Sequence, residues 1–368
     1  MKFMHFAAFT LLAFLPGFQK AFAQAESVTI KRGGLVHTRM LTSLDGEFDE
    51  LTKQLARVAK VHDATLSDVA KLNLYVSKPK AIAEVLEAFQ KTWPKSGKQP
   101  ALTIIPTQLP AGAQLAGDAV ISVKASDATK VERFGRDSSL LPANHDVVYI
   151  SGRAASGEVA EATAGTMAQL FDVLKHLDAG KENVVQVKAF IKPMSEWKIV
   201  EAEIIKSFGE IDTPPLVFVE WSSGSRATEI ELISAAPKTA NPPGPISYFT
   251  PPGDKSSPVY SRVARVHGDE IVYLSAMTGP DANSADSEIR SLYAELERVA
   301  KAARSDLRHF AKATYYVSEN DASQALNTLR PELYDPKRPP AASKVQVPGI
   351  GVKDRGMLID MIAVPRMK

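Results

Sequence analysis

DVAKLNLYV (residues 68–76), NVVQVKAFI (183–191) and HFAKATYYV (309–317) are three versions of one strand-like segment. Each version follows an amphipathic helix pattern and leads to a second helix pattern and closing strands. Their aromatic residues Tyr75, Phe190 and Tyr316 lie about 115 and 126 residues apart, and three acids near the ends of the units keep a similar spacing: Asp118, Glu231 and Asp360. A period of this length is a whole small domain, so the sequence predicts three homologous domains in tandem.

Each predicted unit is long enough to bury its own core. The chain has 368 residues, of which 45% are hydrophobic and 23% charged, and such a composition is typical of globular proteins. We expect an α+β fold in which two helices of each unit cover one face of a mixed sheet. The predicted organisation is a signal peptide at 1–23, repeats at 28–124, 131–236 and 253–368, and a proline-rich linker at 237–252.

The first 23 residues have the pattern of a secretory signal peptide. Lys2 precedes an apolar run that is too short to span a membrane, and Ala21-Phe22-Ala23 is a typical cleavage site. A buried N-terminal helix is the alternative. The sequence therefore predicts an exported protein, periplasmic or extracellular, without a membrane anchor after cleavage.

Charge and residue usage argue against several functions. Cleavage would remove Lys2 and Lys20 from the 44 Lys and Arg residues, leaving 42 to balance 42 Asp and Glu. A neutral chain is not expected to bind nucleic acid, which requires clustered cations. The absence of cysteine excludes disulfides and thiolate chemistry. The seven histidines lack metal-ligand spacing, and no phosphate-binding loop or nucleophile elbow is present. We therefore expect neither a metal nor another cofactor.

Several motifs resemble the Rid/YjgF family, also labelled the endoribonuclease L-PSP family. Ser257-Pro258-Val259-Tyr260-Ser261 is similar to its opening G-P-Y-S motif, and Val148-Tyr149-Ile150-Ser151-Gly152 to its V-Y-x-S-G strand. Glu229-Ile230-Glu231 matches its closing E-I-E, and Pro214-Pro215 and Pro339-Pro340-Ala341 stand where it has P-A-R. The resemblance covers about 330 residues, nearly all of the chain after the predicted signal peptide.

The resemblance implies a chorismate-mutase-like fold for each repeat. Family members form homotrimers with ligand clefts between subunits, so one chain with three repeats is expected to form an intramolecular pseudo-trimer and to be monomeric. Its expected partner is a small molecule bound at an inter-repeat cleft.

The resemblance also implies a chemistry. In active members an arginine after the P-A pair binds the carboxylate of an imino or enamino acid, and a closing-strand glutamate with a water completes hydrolysis to a ketone and ammonia. Here the arginine positions read Leu102, Leu216 and Ala342. Lys344 follows Ala342 by two residues and faces the same side of a strand, although lysine is a poorer carboxylate ligand than arginine. An ordinary surface lysine is the alternative.

Other family positions survive unevenly. They predict one composite cleft between repeats two and three, with Glu229 as the catalytic residue and the substrate-binding residues Ser151, Gly152, Tyr260, Asn327 and Lys344. Each position also has a structural interpretation. Glu229 would be a solvated acid on an alternating strand, Tyr260 a packing ring, and Ser-Gly a turn. Repeat one retains few of these residues and is expected to be mainly structural.

The sequence thus predicts an exported Rid-like protein that binds a small metabolite between repeats. If it is an enzyme, the class to test is a hydrolase with residual or altered imine or enamine deaminase activity, since the family arginine is missing. The alternative is a ligand-binding or scaffold protein without catalysis.

Overall fold

The computed structural model describes residues 26–94, 98–222, 226–255 and 257–367. The predicted signal peptide lies outside these ranges. None of the helices within them has the length and apolar character that a membrane span requires.

The described residues form three α+β units with the same order of elements, which confirms the predicted fold class. Repeat one contains β1 (Ser27–Lys31), β2 (Gly34–Thr38), β3 (Leu41–Ser43), α1 (Phe48–Val61), β4 (Val69–Val76), α2 (Ala81–Thr92), β5 (Ala101–Pro106) and β6 (Leu115–Val123). Repeat two contains β7 (Glu132–Phe134), β8 (Ser138–Leu141), β9 (His145–Arg153), α3 (Val159–Lys175), β10 (Val184–Ile191), α4 (Trp197–Phe208), β11 (Leu216–Glu220) and β12 (Thr228–Pro237). Repeat three contains β13 (Ile246–Phe249), β14 (Val263–Val266), β15 (Glu270–Leu274), α5 (Ala285–Ala302), β16 (Phe310–Val317), α6 (Asn320–Leu333), β17 (Ala341–Gln346) and β18 (Met357–Ala363).

The repeated segment forms the central strand of each unit. Strand β4 pairs in parallel with β5 and antiparallel with β6, and the same pairing joins β10 to β11 and β12, and β16 to β17 and β18. All eight residues of each of these central strands are buried. This double burial explains why the segments are continuously apolar apart from a few polar positions.

One of the first two strands of each repeat pairs with the sheet of a neighbouring repeat. Strand β1 pairs with β15 of repeat three, β8 with β2 of repeat one, and β14 with β9 of repeat two. Each exchange adds backbone hydrogen bonds between two repeats, and together the three exchanges close a ring within one chain.

Four hydrophobic clusters follow from this arrangement. One lies mainly within repeat one and another within repeat three, each beneath two amphipathic helices, and a third extends from repeat two into its neighbours. The fourth lies between the three sheets and includes residues of every repeat, among them Leu35, Tyr149 and Tyr273. The repeats therefore share apolar packing between their sheets.

The stretch predicted as an extended linker contains a strand. Strand β13 lies between Pro245 and Pro251 and pairs with β14 at the edge of its sheet. Prolines flank an edge strand without breaking a ladder, since the missing N–H groups fall outside the paired residues.

Candidate functional site

Six charged side chains meet at the centre of the three sheets. This axial ring consists of Lys71, Lys188, Lys312, Asp118, Glu231 and Asp360, all of them buried around a cavity of about 40 Å³. Each ion pair joins two repeats: Nζ of Lys71 lies 2.7 Å from Asp360, Nζ of Lys312 lies 2.6 Å from Glu231, and Nζ of Lys188 lies 3.8 Å from Asp118. The pairs run around the ring in one direction, so they fix the positions of the closing strands relative to one another.

Strand β12 connects this ring to the cleft between repeats two and three. Glu231 belongs to the ring, and Glu229, two residues earlier, lies on the same face of the strand. Ser343 of repeat three donates a hydrogen bond to Glu231 at 2.6 Å. The packing of the ring therefore also holds the part of β12 that carries Glu229.

Ser151 and Gly152 form the end of β9 beside Glu229. The Ser151 hydroxyl donates to the carbonyl of Ser261 at 2.5 Å and accepts from the backbone N–H of Ala342 at 2.9 Å, so it anchors repeat two to repeat three. A side chain on Gly152 would collide with the Glu229 carboxylate. Glycine at this position therefore allows the carboxylate to lie directly against the backbone.

Glu229 has an unusual acidity. Burial raises its pKa to about 7, and the nearby Glu231 acts in the same direction, while Ser343, Lys312 and Arg262 partly oppose the change. The residue as a whole is partly exposed, while its carboxyl group lies in a buried setting. A carboxyl group whose pKa lies near neutrality can both give and accept a proton, which suits a general acid or base.

Lys344 supplies a cation from the facing strand, β17. Its Nζ donates to the Ser323 hydroxyl at 3.0 Å and to Oδ1 of Asn327 at 3.1 Å, both on α6. Burial and the neighbouring Arg330 lower its pKa, and Glu229 acts to raise it. The Lys344 ammonium is thus positioned by α6 and lies within electrostatic reach of Glu229.

Two arginines that sequence reasoning missed complete this cleft. The Arg262 guanidinium lies over the Tyr260 ring, 5.0 Å from its centre, and donates to the carbonyl of Gly152 at 3.4 Å. Arg330 donates to Oδ1 of Asn327 at 3.1 Å. The sequence contains a signal for both: Arg262 follows Tyr260 by two residues, and Arg330 follows Asn327 by three residues on a helix.

The structure therefore gathers the predicted residues of repeats two and three. Ser151, Gly152, Glu229, Asn327 and Lys344 lie near one another at the boundary between repeats two and three, and Tyr260 adjoins them through Arg262. Within the described residues, no group of His, Asp and Glu side chains is arranged to hold a metal ion.

The positions at which the family resemblance predicts an arginine are structurally equivalent in the three repeats. Leu102, Leu216 and Ala342 face Leu72, Val187 and Ala313 in the parallel strand pairs. The backbone N–H of Leu102 donates to the Ser275 hydroxyl at 2.9 Å, just as that of Ala342 donates to the Ser151 hydroxyl. These positions hold neighbouring repeats together through the backbone and present no charge.

The cleft between repeats one and two is a more open cavity of about 380 Å³. Arg39, Arg136, Trp197, Glu201 and Phe218 are among the residues that line it. Arg39 pairs with Asp137 at 2.6 Å, and Arg136 lies 3.7 Å from Glu201. The sequence prediction of a mainly structural repeat one missed this cavity, because Arg39 and Arg136 are 97 residues apart and belong to no motif.

Comparison with known proteins gives the following. No family model and no curated protein matches the chain. Solved structures that match include a YjgF family member from Neisseria meningitidis, with 22% identity, 33% of this chain and 97% of that chain covered, and a TM-score of 0.26. A Rid family protein of unknown function from Yersinia pestis has 15% identity, 32% and 98% coverage, and a TM-score of 0.30. A putative endoribonuclease from Thermotoga maritima has 19% identity, 26% and 80% coverage, and a TM-score of 0.24.

Proposed function

We propose that the cleft between repeats two and three binds a small carboxylate-bearing imine or enamine and hydrolyses it to a ketone and ammonia. The observation that carries the proposal is that Glu229, whose pKa is raised to about 7 by burial, lies within electrostatic reach of the Lys344 ammonium across a repeat boundary.

The chemistry assigns one role to each group. Lys344, held by Asn327, attracts the substrate carboxylate. Protonated Glu229 donates its proton to the substrate nitrogen, or to the enamine carbon to form the imine, and water then adds to the carbon of the C=N bond. The Glu229 carboxylate accepts a proton from this water. Glu229 passes this proton to the nitrogen, the C–N bond breaks and ammonia departs. The remaining hydroxyl group returns its proton to Glu229 as the ketone forms.

Lysine in place of the arginine that the family resemblance predicts is expected to weaken the binding of the substrate carboxylate. An ammonium is a point charge and lacks the planar pair of donors that matches a carboxylate. We therefore expect weak substrate binding, with a high KM, and turnover that depends mainly on Glu229.

The test is ammonia release from freshly generated 2-aminoacrylate, measured against the spontaneous rate. The Glu229→Gln variant removes the titrating group and keeps its shape, and Glu210→Gln, at an exposed position after α4, is the matched control. Release above the spontaneous rate that is lost only in Glu229→Gln supports the proposal. No release by the native chain, or equal release by Glu229→Gln, overturns it.

A second candidate function is ligand binding without turnover in the cavity between repeats one and two. Its volume of about 380 Å³ falls in the range of small-molecule sites, and Arg136 and Trp197 offer a cation and an aromatic surface. A thermal-shift screen with aromatic carboxylates tests it. Stabilisation that Arg136→Gln abolishes supports the site, and a screen without any stabilisation favours a scaffold role.

We also propose that the protein is exported and acts as a monomer. The signal-peptide pattern at 1–23 supports export, and ring closure within one chain supports the monomer. Cell fractionation that finds the full-length chain in the cytoplasm would contradict export.

A further inference from the structure

A serine, a histidine and an aspartate form a hydrogen-bonded series at the edge of the repeat-two sheet. The Ser247 hydroxyl lies 2.8 Å from Nε2 of His267, and Nδ1 of the same ring lies 2.8 Å from Oδ2 of Asp146. Each partner uses the atom that a hydrolytic triad requires: the ring lies between hydroxyl and carboxylate, with one nitrogen directed at each.

Three segments bring these residues together. Ser247 is on β13, His267 directly follows β14, and Asp146 is near the start of β9. Strand β14 pairs with β13 on one side and with β9 on the other. The three residues are therefore close only because repeat three inserts its opening strands into the sheet of repeat two.

Asp146 holds the imidazole in one orientation. It is fully buried, and the same Oδ2 accepts from Nε of Arg265 at 2.9 Å and from the hydroxyl of Thr239 at 2.7 Å. Burial alone would raise the pKa of Asp146, but the hydrogen bonds from His267, Thr239 and Arg265 outweigh it and lower the pKa. An ionised Asp146 can only accept, so Nδ1 of His267 carries the proton. In the neutral ring, Nε2 is then free to accept the proton of Ser247.

Solvent exposure increases from Asp146 to Ser247, and a nucleophile must be accessible to its substrate. Asp146 and His267 are buried, whereas Ser247 is partly exposed on an edge strand. The cations Lys238 and Arg265 lie beside the series. Nζ of Lys238 donates to the carbonyl of His267 at 3.2 Å, and Arg265 contacts Asp146.

We propose that Ser247, His267 and Asp146 constitute a nucleophilic site that hydrolyses small carboxylic esters. The Ser247 oxygen attacks the ester carbonyl carbon as its proton moves to Nε2 of His267. The ester C–O bond then breaks, and the alcohol leaves with that proton. Water attacks the resulting acyl-serine, gives a proton to Nε2, and the acid departs as Ser247 regains its hydrogen.

This site is separate from the Glu229 cleft and does not depend on it. Glu229 lies near the start of β12, and Arg265 donates to the carbonyl of Pro237 at the other end of that strand. Eight residues of extended strand span roughly 26 Å. A result at one site therefore leaves the other unaffected.

The first experiment is labelling of the native chain with a fluorophosphonate, with the modified peptide located by mass spectrometry. We expect one adduct at Ser247 and, in parallel, hydrolysis of 4-nitrophenyl acetate at least tenfold faster than for Ser247→Ala or His267→Asn. Ser126→Ala, which removes an exposed serine, and Glu210→Gln, which neutralises an exposed acid, should keep the native rate. Absence of an adduct at Ser247, or esterase activity unchanged in Ser247→Ala, overturns the proposal.

A second variant tests the site even if His267→Asn does not fold. The chain has no cysteine, so Ser247→Cys introduces a single thiol. A thiol beside the imidazole should form the thiolate readily and react with iodoacetamide at pH 7 at least tenfold faster than the thiol of Ser126→Cys. Equal or slower alkylation would show that His267 does not activate position 247.

Discussion

Replacement of Lys71 by methionine tests whether the axial ring holds the three repeats together. Nζ of Lys71 donates to Asp360 at 2.7 Å, to the carbonyl of Leu274 at 2.7 Å and to the Thr103 hydroxyl at 2.8 Å. The lysine side chain is 3% exposed and the Asp360 side chain 12%. Lys71→Met keeps the apolar stem and removes the charge, so Asp360 remains buried without its cation.

The expected loss in the free energy of unfolding is about 3–5 kcal/mol, since a single partner of a buried ion pair is removed. Addition of Asp360→Asn to Lys71→Met should recover part of this loss, because the unpaired charge is then absent as well. The surface pair of Lys301 and Glu297, at 2.9 Å and with side chains 63% and 45% exposed, provides the control. Lys301→Met should change the stability by less than about 0.5 kcal/mol.

The assay is urea denaturation followed by far-ultraviolet circular dichroism, which reports on all three repeats. Two results would refute the reasoning. One is a loss of less than about 1 kcal/mol in Lys71→Met, which would mean that Asp360 finds solvent or another partner. The other is a double variant less stable than Lys71→Met alone, which would mean that Asp360 is needed for reasons other than its charge.

Three further predictions concern the cleft and the ring. The folded protein retains a proton on Glu229 over the range from about pH 4.5 to 7 in which the unfolded chain loses it. Stability should therefore fall by roughly 1–3 kcal/mol as pH rises through this range, and Glu229→Gln should flatten that part of a urea-midpoint profile. Gly152→Ala should displace the Glu229 carboxylate and reduce kcat/KM for 2-aminoacrylate at least tenfold with little change in circular dichroism, and a native rate would argue against the proposed position of Glu229. Sedimentation of the chain without residues 1–23 should give a monomer, whereas a stable trimer of chains would show that the repeats do not close internally.

Sequence reasoning was strongest where one physical requirement recurs. The central strands β4, β10 and β16 are buried on both faces, so they are mainly apolar in all three repeats. The helices repeat a single apolar stripe because only one face of each helix is buried. Strand β13 escaped prediction because a short edge strand between prolines has no such pattern.

Some residues of the candidate sites could also be predicted from the sequence, and others could not. Ser151, Gly152 and Glu229 could be predicted because they fall in motifs at fixed positions of strands. Arg39 and Arg136 of the cavity between repeats one and two could not, since a side chain 97 residues away becomes a neighbour only through the ring. The two arginines of that cavity were therefore the least accessible part of the prediction.

By itself the sequence determined that the chain contains three related α+β units, because local periodicity and spacing are properties of each segment alone. Only the tertiary structure decided how the units join: through exchanged opening strands, and through a ring in which Lys71 pairs with Asp360, Lys312 with Glu231 and Lys188 with Asp118. It alone placed Ser247 and His267 beside Asp146. Such pairings depend on distances between residues far apart in the chain, and no local pattern encodes these distances.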